Sequence, residues 1–170
     1  MKTRPSLLFS VVCLAMTASA SAEITLAPMF ADHAVLQRDK PVPVWGRAAA
    51  GEKIAVTFRD QNVNATADAE GRWMVYLAPL AGSAEPTNLT VAGKSLTIVS
   101  HDVVVGEVWL ASGQSNMEWP VSMLHEDEKT LAAVDLPLVR QLKVERTVAG
   151  VPAESIPTTG WKVATTATAG

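Results

Sequence analysis

Between Ile24 and about Val99 the chain alternates apolar and polar positions in short runs separated by turn residues. Lys53-Ile-Ala-Val-Thr-Phe58 alternates cleanly, and Asn62 to Ala67 reads as its partner. Arg72-Trp-Met-Val-Tyr-Leu77 follows the turn Asp68-Ala-Glu-Gly71 and is closed by Pro79 and Gly82. Val42-Pro-Val-Trp45 ends at Gly46, while Leu89-Thr-Val91 and Leu96-Thr-Ile-Val99 flank a hairpin turn at Gly93-Lys94. A period of two places alternate side chains on opposite faces of a strand. Strands spaced about ten residues apart with turn residues between them predict an N-terminal antiparallel β-sandwich. Pro28, Pro41 and Pro43 then belong at strand starts or edges, where a missing N–H costs nothing.

After Val103 the pattern changes. Val103 to Ala111 is mostly apolar, interrupted by Gly106 and Glu107, and runs into the polar turn Ser112-Gly-Gln-Ser-Asn116. That predicts a buried strand delivering a loop, with Gly113 allowing a sharp turn before Ser115. Leu124, Leu131 and Val134 suit a modest helix within Val121 to Val134; Glu126-Asp-Glu128 suits its first turn if it starts there, and Pro137 stops it. Leu138 to Val144 reads as the next strand. Strand, helix, strand predicts the start of a parallel α/β unit. From Ala149 the chain is rich in Pro, Thr and Ala, with Trp161 its one large apolar anchor. About one β-α-β step fits here, so the second domain reads as an incomplete one.

Composition sharpens the start of the chain. Of 170 residues, 48% are hydrophobic, enough for one or two small domains. Lys2 and Arg4, an apolar run from Leu7 to Met16, and Ala20-Ser-Ala22 form the three parts of a secretory signal peptide, with cleavage expected after Ala22. The apolar run is too short for a stable membrane anchor. Cys13, the single cysteine, lies inside this leader, and the residue before it, Val12, is not the small one a lipoprotein signal favours. An exported chain without disulfides must rely on its core. Removing Lys2 and Arg4 takes the formal net charge from −3 to about −5, and no basic patch points to nucleic acid or an anionic membrane. A neutral or sugar-like partner fits better. The expected organisation is a signal peptide over 1–22, a β-sandwich over 23–102, and the start of an α/β domain over 103–170.

At the end of a strand in an α/β sheet, Ser115 stands where chemistry is usually placed. A serine hydroxyl needs a base within hydrogen-bond reach and N–H donors for the oxyanion it creates. The order Gly-Gln-Ser-Asn is not the G-x-S-x-G elbow of α/β-hydrolases, and a serine in such a turn can equally cap a helix. Gln114 and Asn116 either shape the turn or contact substrate. His33, His101 and His125 are the candidate bases, each against the plain reading of a surface histidine. Glu118 and Trp119 either line a pocket or are, respectively, solvated and packed. Trp45, Trp73 and Trp109 read as core anchors rather than sugar-stacking platforms. Glu126 to Glu128 lacks the histidine spacing of a metal site and reads as a solvated helix face.

Gly106-Glu-Val-Trp-Leu-Ala-Ser-Gly-Gln-Ser-Asn-Met117 resembles the nucleophile block of the sialate O-acetylesterase family, serine esterases of the SGNH hydrolase superfamily. Asp32-His-Ala-Val-Leu-Gln-Arg-Asp-Lys-Pro-Val-Pro-Val-Trp-Gly46 and Gly71-Arg-Trp73 resemble the opening of the same proteins. The resemblance implies a β-sandwich leading into a flavodoxin-like α/β/α hydrolase domain, present here only in its amino-terminal portion. It implies a carbohydrate O-acetylesterase acting on O-acetylated sialic acid or a related glycan, and the signal peptide makes it a secreted or periplasmic one. On that reading Ser115 is the catalytic nucleophile, with Gln114 and Asn116 as substrate-binding candidates, and no metal, organic cofactor, nucleic acid or membrane anchor is involved. The family's oxyanion-hole glycine and asparagine and its Asp-x-x-His pair have no matching positions among these residues. The alternative is a non-catalytic glycan-binding or structural sandwich module.

Overall fold

The computed structural model describes residues 23–119, 123, 134–153 and 155–168. The expected signal peptide and nearly all of the expected helix over Val121 to Val134 lie outside them. Ten strands run through the described residues: β1 (Thr25–Leu26), β2 (Val35–Gln37), β3 (Val42–Arg47), β4 (Lys53–Phe58), β5 (Gln61–Thr66), β6 (Arg72–Leu77), β7 (Ser83–Ala92), β8 (Thr97–Gly106), β9 (Asp135–Val144) and β10 (Thr158–Thr165). No α-helix occurs among the described residues, which are otherwise linked by turns and two short 3-10 segments.

The strands form three sheets. One has the order β1-β3-β6, the second β2-β8-β7-β4-β5, and β9 pairs with β10 alone. All pairings are antiparallel except β2 with β8. The period-two pattern sets which side chains turn inward. In β4 these are Ile54, Val56 and Phe58; in β6 they are Trp73, Val75 and Leu77. Together with Val42 and Val44 of β3, Leu89 and Val91 of β7, and Val103 and Val105 of β8, they form one buried cluster fed by both larger sheets. Each fully buried side chain of this size contributes roughly 1.5–3 kcal/mol, which is how a chain without disulfides holds this region together.

The turns follow from their residues. The Asp68 carboxylate accepts the N–H groups of Glu70 and Arg72 at 3.0 and 2.8 Å. Gly71 completes the bend at φ +76°, where a Cβ would lie 2.5 Å from the Ala48 carbonyl oxygen, so glycine is required there. Pro43 sits in β3 beyond the two residues that β1 pairs, so its missing N–H leaves no gap in the ladder.

Three expectations change. The strand entered at Val103 does not continue to Ala111; β8 begins at Thr97 and ends at Gly106, crossing the expected boundary at 102/103. The reason is its neighbour. β2 reaches register only as far as Gln37 opposite Gly106, and the chain then turns away at Arg38, leaving residues 107–111 without an edge to pair with. Trp109 is consequently 86% exposed and Leu110 92%, so Trp109 is no core anchor. Finally, Leu138 to Val144 lies within β9, but its partner is β10, antiparallel, formed from the Thr-rich stretch. Among the described residues the arrangement is all-β, and β9 pairs antiparallel with β10 rather than parallel with β8. Trp45 and Trp73 do anchor the core: Trp73 is buried, and Trp45 meets Phe30 edge to face at 4.9 Å.

Candidate active site

The route to Ser115 starts at the parallel pair. Val35, Leu36 and Gln37 lie opposite Val104, Val105 and Gly106, so the two stretches that carry the resemblance, Asp32 to Gly46 and Gly106 to Met117, are brought side by side. The Arg38 N–H donates to the Gly106 carbonyl at 2.9 Å. The Val108 N–H donates to Gln37 Oε1 at 2.9 Å, while Gln37 Nε2 donates to the Glu107 carboxylate at 3.1 Å and to the Arg38 carbonyl at 3.2 Å. Beyond Val108 the chain runs exposed to Gln114.

Ser115 opens a single 3-10 turn, Ser115–Glu118. Its hydrogen bonds run from the Met117 N–H to the Gln114 carbonyl at 2.9 Å and from the Trp119 N–H to the Asn116 carbonyl at 3.4 Å. Gln114, Ser115 and Asn116 are all exposed. The capping position belongs to Gln114, with no side-chain cap bond, and no hydrogen bond of the Ser115 hydroxyl occurs among the described residues. Ser115 is therefore no helix cap here. Gly113 is not in the left-handed region; its small size matters because a Cβ would approach Met117 Cγ to 2.8 Å. Glu118 is neither free nor in a pocket, since its carboxylate pairs with the Arg146 guanidinium, and Trp119 is exposed rather than packed.

Two of the three candidate histidines, His33 and His101, lie among the described residues. His33 Nδ1 lies 2.6 Å from Asp102 Oδ2, and Arg140 Nη2 donates to Asp102 Oδ1 at 2.9 Å. Arg140 Nη1 also donates to the Asp102 carbonyl. The Arg140 side chain is only 4% exposed, and its Nε finds no partner. A second link runs alongside: the His33 N–H donates to the His101 carbonyl at 2.9 Å, and the His101 N–H to Asp32 Oδ1 at 2.7 Å. His33 and Asp102 both adopt left-handed backbone, φ 65° and 55°, a conformation that costs non-glycine residues on the order of 1 kcal/mol each. Partial burial works to raise the Asp102 carboxyl, but the hydrogen bonds and charges of His33 and Arg140 outweigh it and hold the group below the usual carboxylate range. This clasp joins the first turn of the core to β8 and to β9. Spacing arguments missed it. The signal available was the pair of reciprocal dipeptides, Asp32-His33 and His101-Asp102.

His101 Nδ1 lies 3.3 Å from Asn88 Oδ1, and His125 falls outside the described residues. Among the described residues no group of three His, Cys, Asp or Glu side chains is arranged to hold a metal ion. An open cleft of about 460 Å³ lies beside the clasp, lined in part by Asp32, His33, Thr159 and Trp161. The Trp161 indole is fixed by its Nε1–H, which donates to the Met29 carbonyl at 2.8 Å.

No family model matches the chain. Its fold is that of carbohydrate acetylesterase relatives: a solved carbohydrate acetylesterase from Xanthomonas citri superposes with a TM-score of 0.83 and 41% identity, over 86% of this chain and 34% of its own. The sialate O-acetylesterase of Mus musculus is 30% identical over 141 residues, 75% of this chain and 26% of that protein. That of Rattus norvegicus is 32% identical over 111 residues, 59% of this chain and 20% of its own. The chain belongs, over this shared portion, to the sialate O-acetylesterase family. It spans about a quarter of the length of the curated relatives it matches.

Proposed function

We propose that the chain is the nucleophile-bearing part of an exported carbohydrate O-acetylesterase. In this reading residues 1–22 direct export to the periplasm or outside the cell. The strands up to β8, which ends at Gly106, build a β-sandwich, and the chain beyond it opens an SGNH-type α/β/α hydrolase domain. Ser115 attacks the acetyl carbonyl of an O-acetylated sialic acid or related glycan, forming an acetyl-enzyme that water then clears. Gln114 and Asn116 flank the hydroxyl and contact the substrate, and no metal or organic cofactor takes part. The observation that carries the reading is the Ser115 hydroxyl itself: exposed, uninvolved in capping, and tethered through Gln37 and Val108 to a packed core.

A nucleophilic hydroxyl must be reachable by the incoming ester, and an exposed Ser115 with no hydrogen bond among the described residues meets that requirement. The base and oxyanion donors are read as contributed by the remaining three quarters of the family's length, since neither His33 nor His101 is hydrogen-bonded to Ser115 among the described residues. A fluorophosphonate should label Ser115 in the full-length gene product, and Ser115→Ala should abolish labelling. The 170-residue chain alone should hydrolyse p-nitrophenyl acetate little above background, because losing the base of a triad can cost on the order of 10⁶ in kcat. Vigorous Ser115-dependent turnover by that chain alone would overturn the assignment of the missing partners.

A second reading, a non-catalytic glycan-binding module, draws on the cleft beside Trp161, where a held indole and polar neighbours match the chemistry of a sugar ring. It predicts saturable glycan binding that Thr159→Trp abolishes, together with no fluorophosphonate labelling of Ser115 in the full-length product.

A further inference from the structure

We propose that Gln37 is a positioning residue for the serine turn, resting on the reading of Ser115 as nucleophile. β8 has paired neighbours up to Gly106. Between that residue and the hydrogen-bonded turn at Gln114, the chain has no strand partner, and its direction is set by what holds Glu107 and Val108.

Gln37 holds both. Its carbonyl oxygen accepts the Val108 N–H at 2.9 Å, doing for that residue what a neighbouring strand would do. Its amide nitrogen donates to the Glu107 carboxylate at 3.1 Å and to the Arg38 carbonyl at 3.2 Å. The three partners are one donor and two acceptors, so only a side chain that accepts at one terminal atom and donates at the other satisfies them all. Asparagine has the chemistry but is one methylene short, glutamate has no donor, and methionine has neither function. The residue is itself the last of β2, in register opposite Gly106 and rooted in a strand whose Leu36 is buried. A rigid strand end therefore reaches across and fixes the exit angle of the segment that leads to Ser115. Geometry set this way bears on reactivity, because small displacements of a nucleophile carry large rate penalties.

The test is a set of variants of the full-length gene product, read by amide hydrogen exchange and by kcat and KM for p-nitrophenyl acetate. In Gln37→Met the Val108 amide should exchange about tenfold faster, while those of Val91 and Val103 in the core stay unchanged. The kcat should fall by about tenfold or more at constant KM. Gln37→Glu should resemble it, because two carboxylates then face each other. Adding Glu107→Gln restores a donor opposite the new carboxylate, so the double variant Q37E/E107Q should recover most of both losses. An unchanged Val108 exchange rate in Gln37→Met overturns the proposal, as does faster exchange with unchanged kcat, or a double variant no better than Q37E. Turnover that survives Ser115→Ala removes the nucleophile reading on which the proposal rests, and the exchange data then judge the tether separately from the chemistry.

Discussion

The two-sheet core and the segment from Glu107 to Trp119 draw on the same kinds of residue and use them in opposite ways. Ile54, Val56 and Phe58 of β4, Trp73, Val75 and Leu77 of β6, and Leu89 and Val91 of β7 face inward and are shielded almost completely. The apolar side chains of Val108-Trp-Leu110 stand in water. Apolar composition alone therefore does not make a strand; a run also needs a partner edge for its N–H and C=O groups. Inside the core every run has one, while β2 withdraws from β8 at Gln37, so the run after Gly106 has none.

The sharpest way to break this contrast is at its functional end. Ser115→Ala should lower esterase turnover of the full-length product by about 10³-fold or more with no shift in melting temperature, since the hydroxyl bonds nothing among the described residues. A core truncation should do the reverse. Phe58→Ala, at a fully buried position, should destabilise the 170-residue chain by about 3–5 kcal/mol in denaturant unfolding. Breaking the clasp is expected to fall between: Asp102→Asn leaves the buried Arg140 without its counter-charge, for roughly 2–3 kcal/mol.

The clasp also has a pH signature. Because the folded Asp102 carboxyl sits below its unfolded value, its contribution is present above the ordinary carboxylate range and is lost as pH falls through the lowered folded value. Thermal unfolding of the wild type should lose more stability on acidification than Asp102→Asn does; parallel curves would refute that coupling. The smallest effect belongs to the exposed run. Leu110→Ala should change the stability of the 170-residue chain by less than about 0.5 kcal/mol, and a cost near that of Phe58→Ala would mean that the run is packed after all.

Much of the core was legible beforehand because alternation and turn chemistry agree there. Lys53 to Phe58 and Arg72 to Leu77 are strands at the expected residues, and Asp68 to Gly71 is the turn between β5 and β6. The strand after Val103 was misjudged because its length depends on where β2 stops, a fact about residues far away in the chain. β10 was missed because Thr158 to Thr165 offers one large apolar residue, Trp161, whose indole finds its partner at Met29. At the site, the location of Ser115 on a turn was readable from Gly113 to Asn116. Its tether was not, since no local pattern links Gln37 to Val108.

That tether has a consequence for assembly. Its two sides are 71 residues apart in sequence, and the clasp between His33 and Asp102 closes a span of 69. Contacts of such long range are won late, after shorter loops have closed. A nascent polypeptide emerging from the ribosome can form the β4–β5 hairpin as soon as its residues appear, yet Val35 to Gln37 must wait for the whole of β8. The alignment of the serine segment is thus a late product of maturation, and a stalled folding intermediate would carry the hydroxyl without its aim.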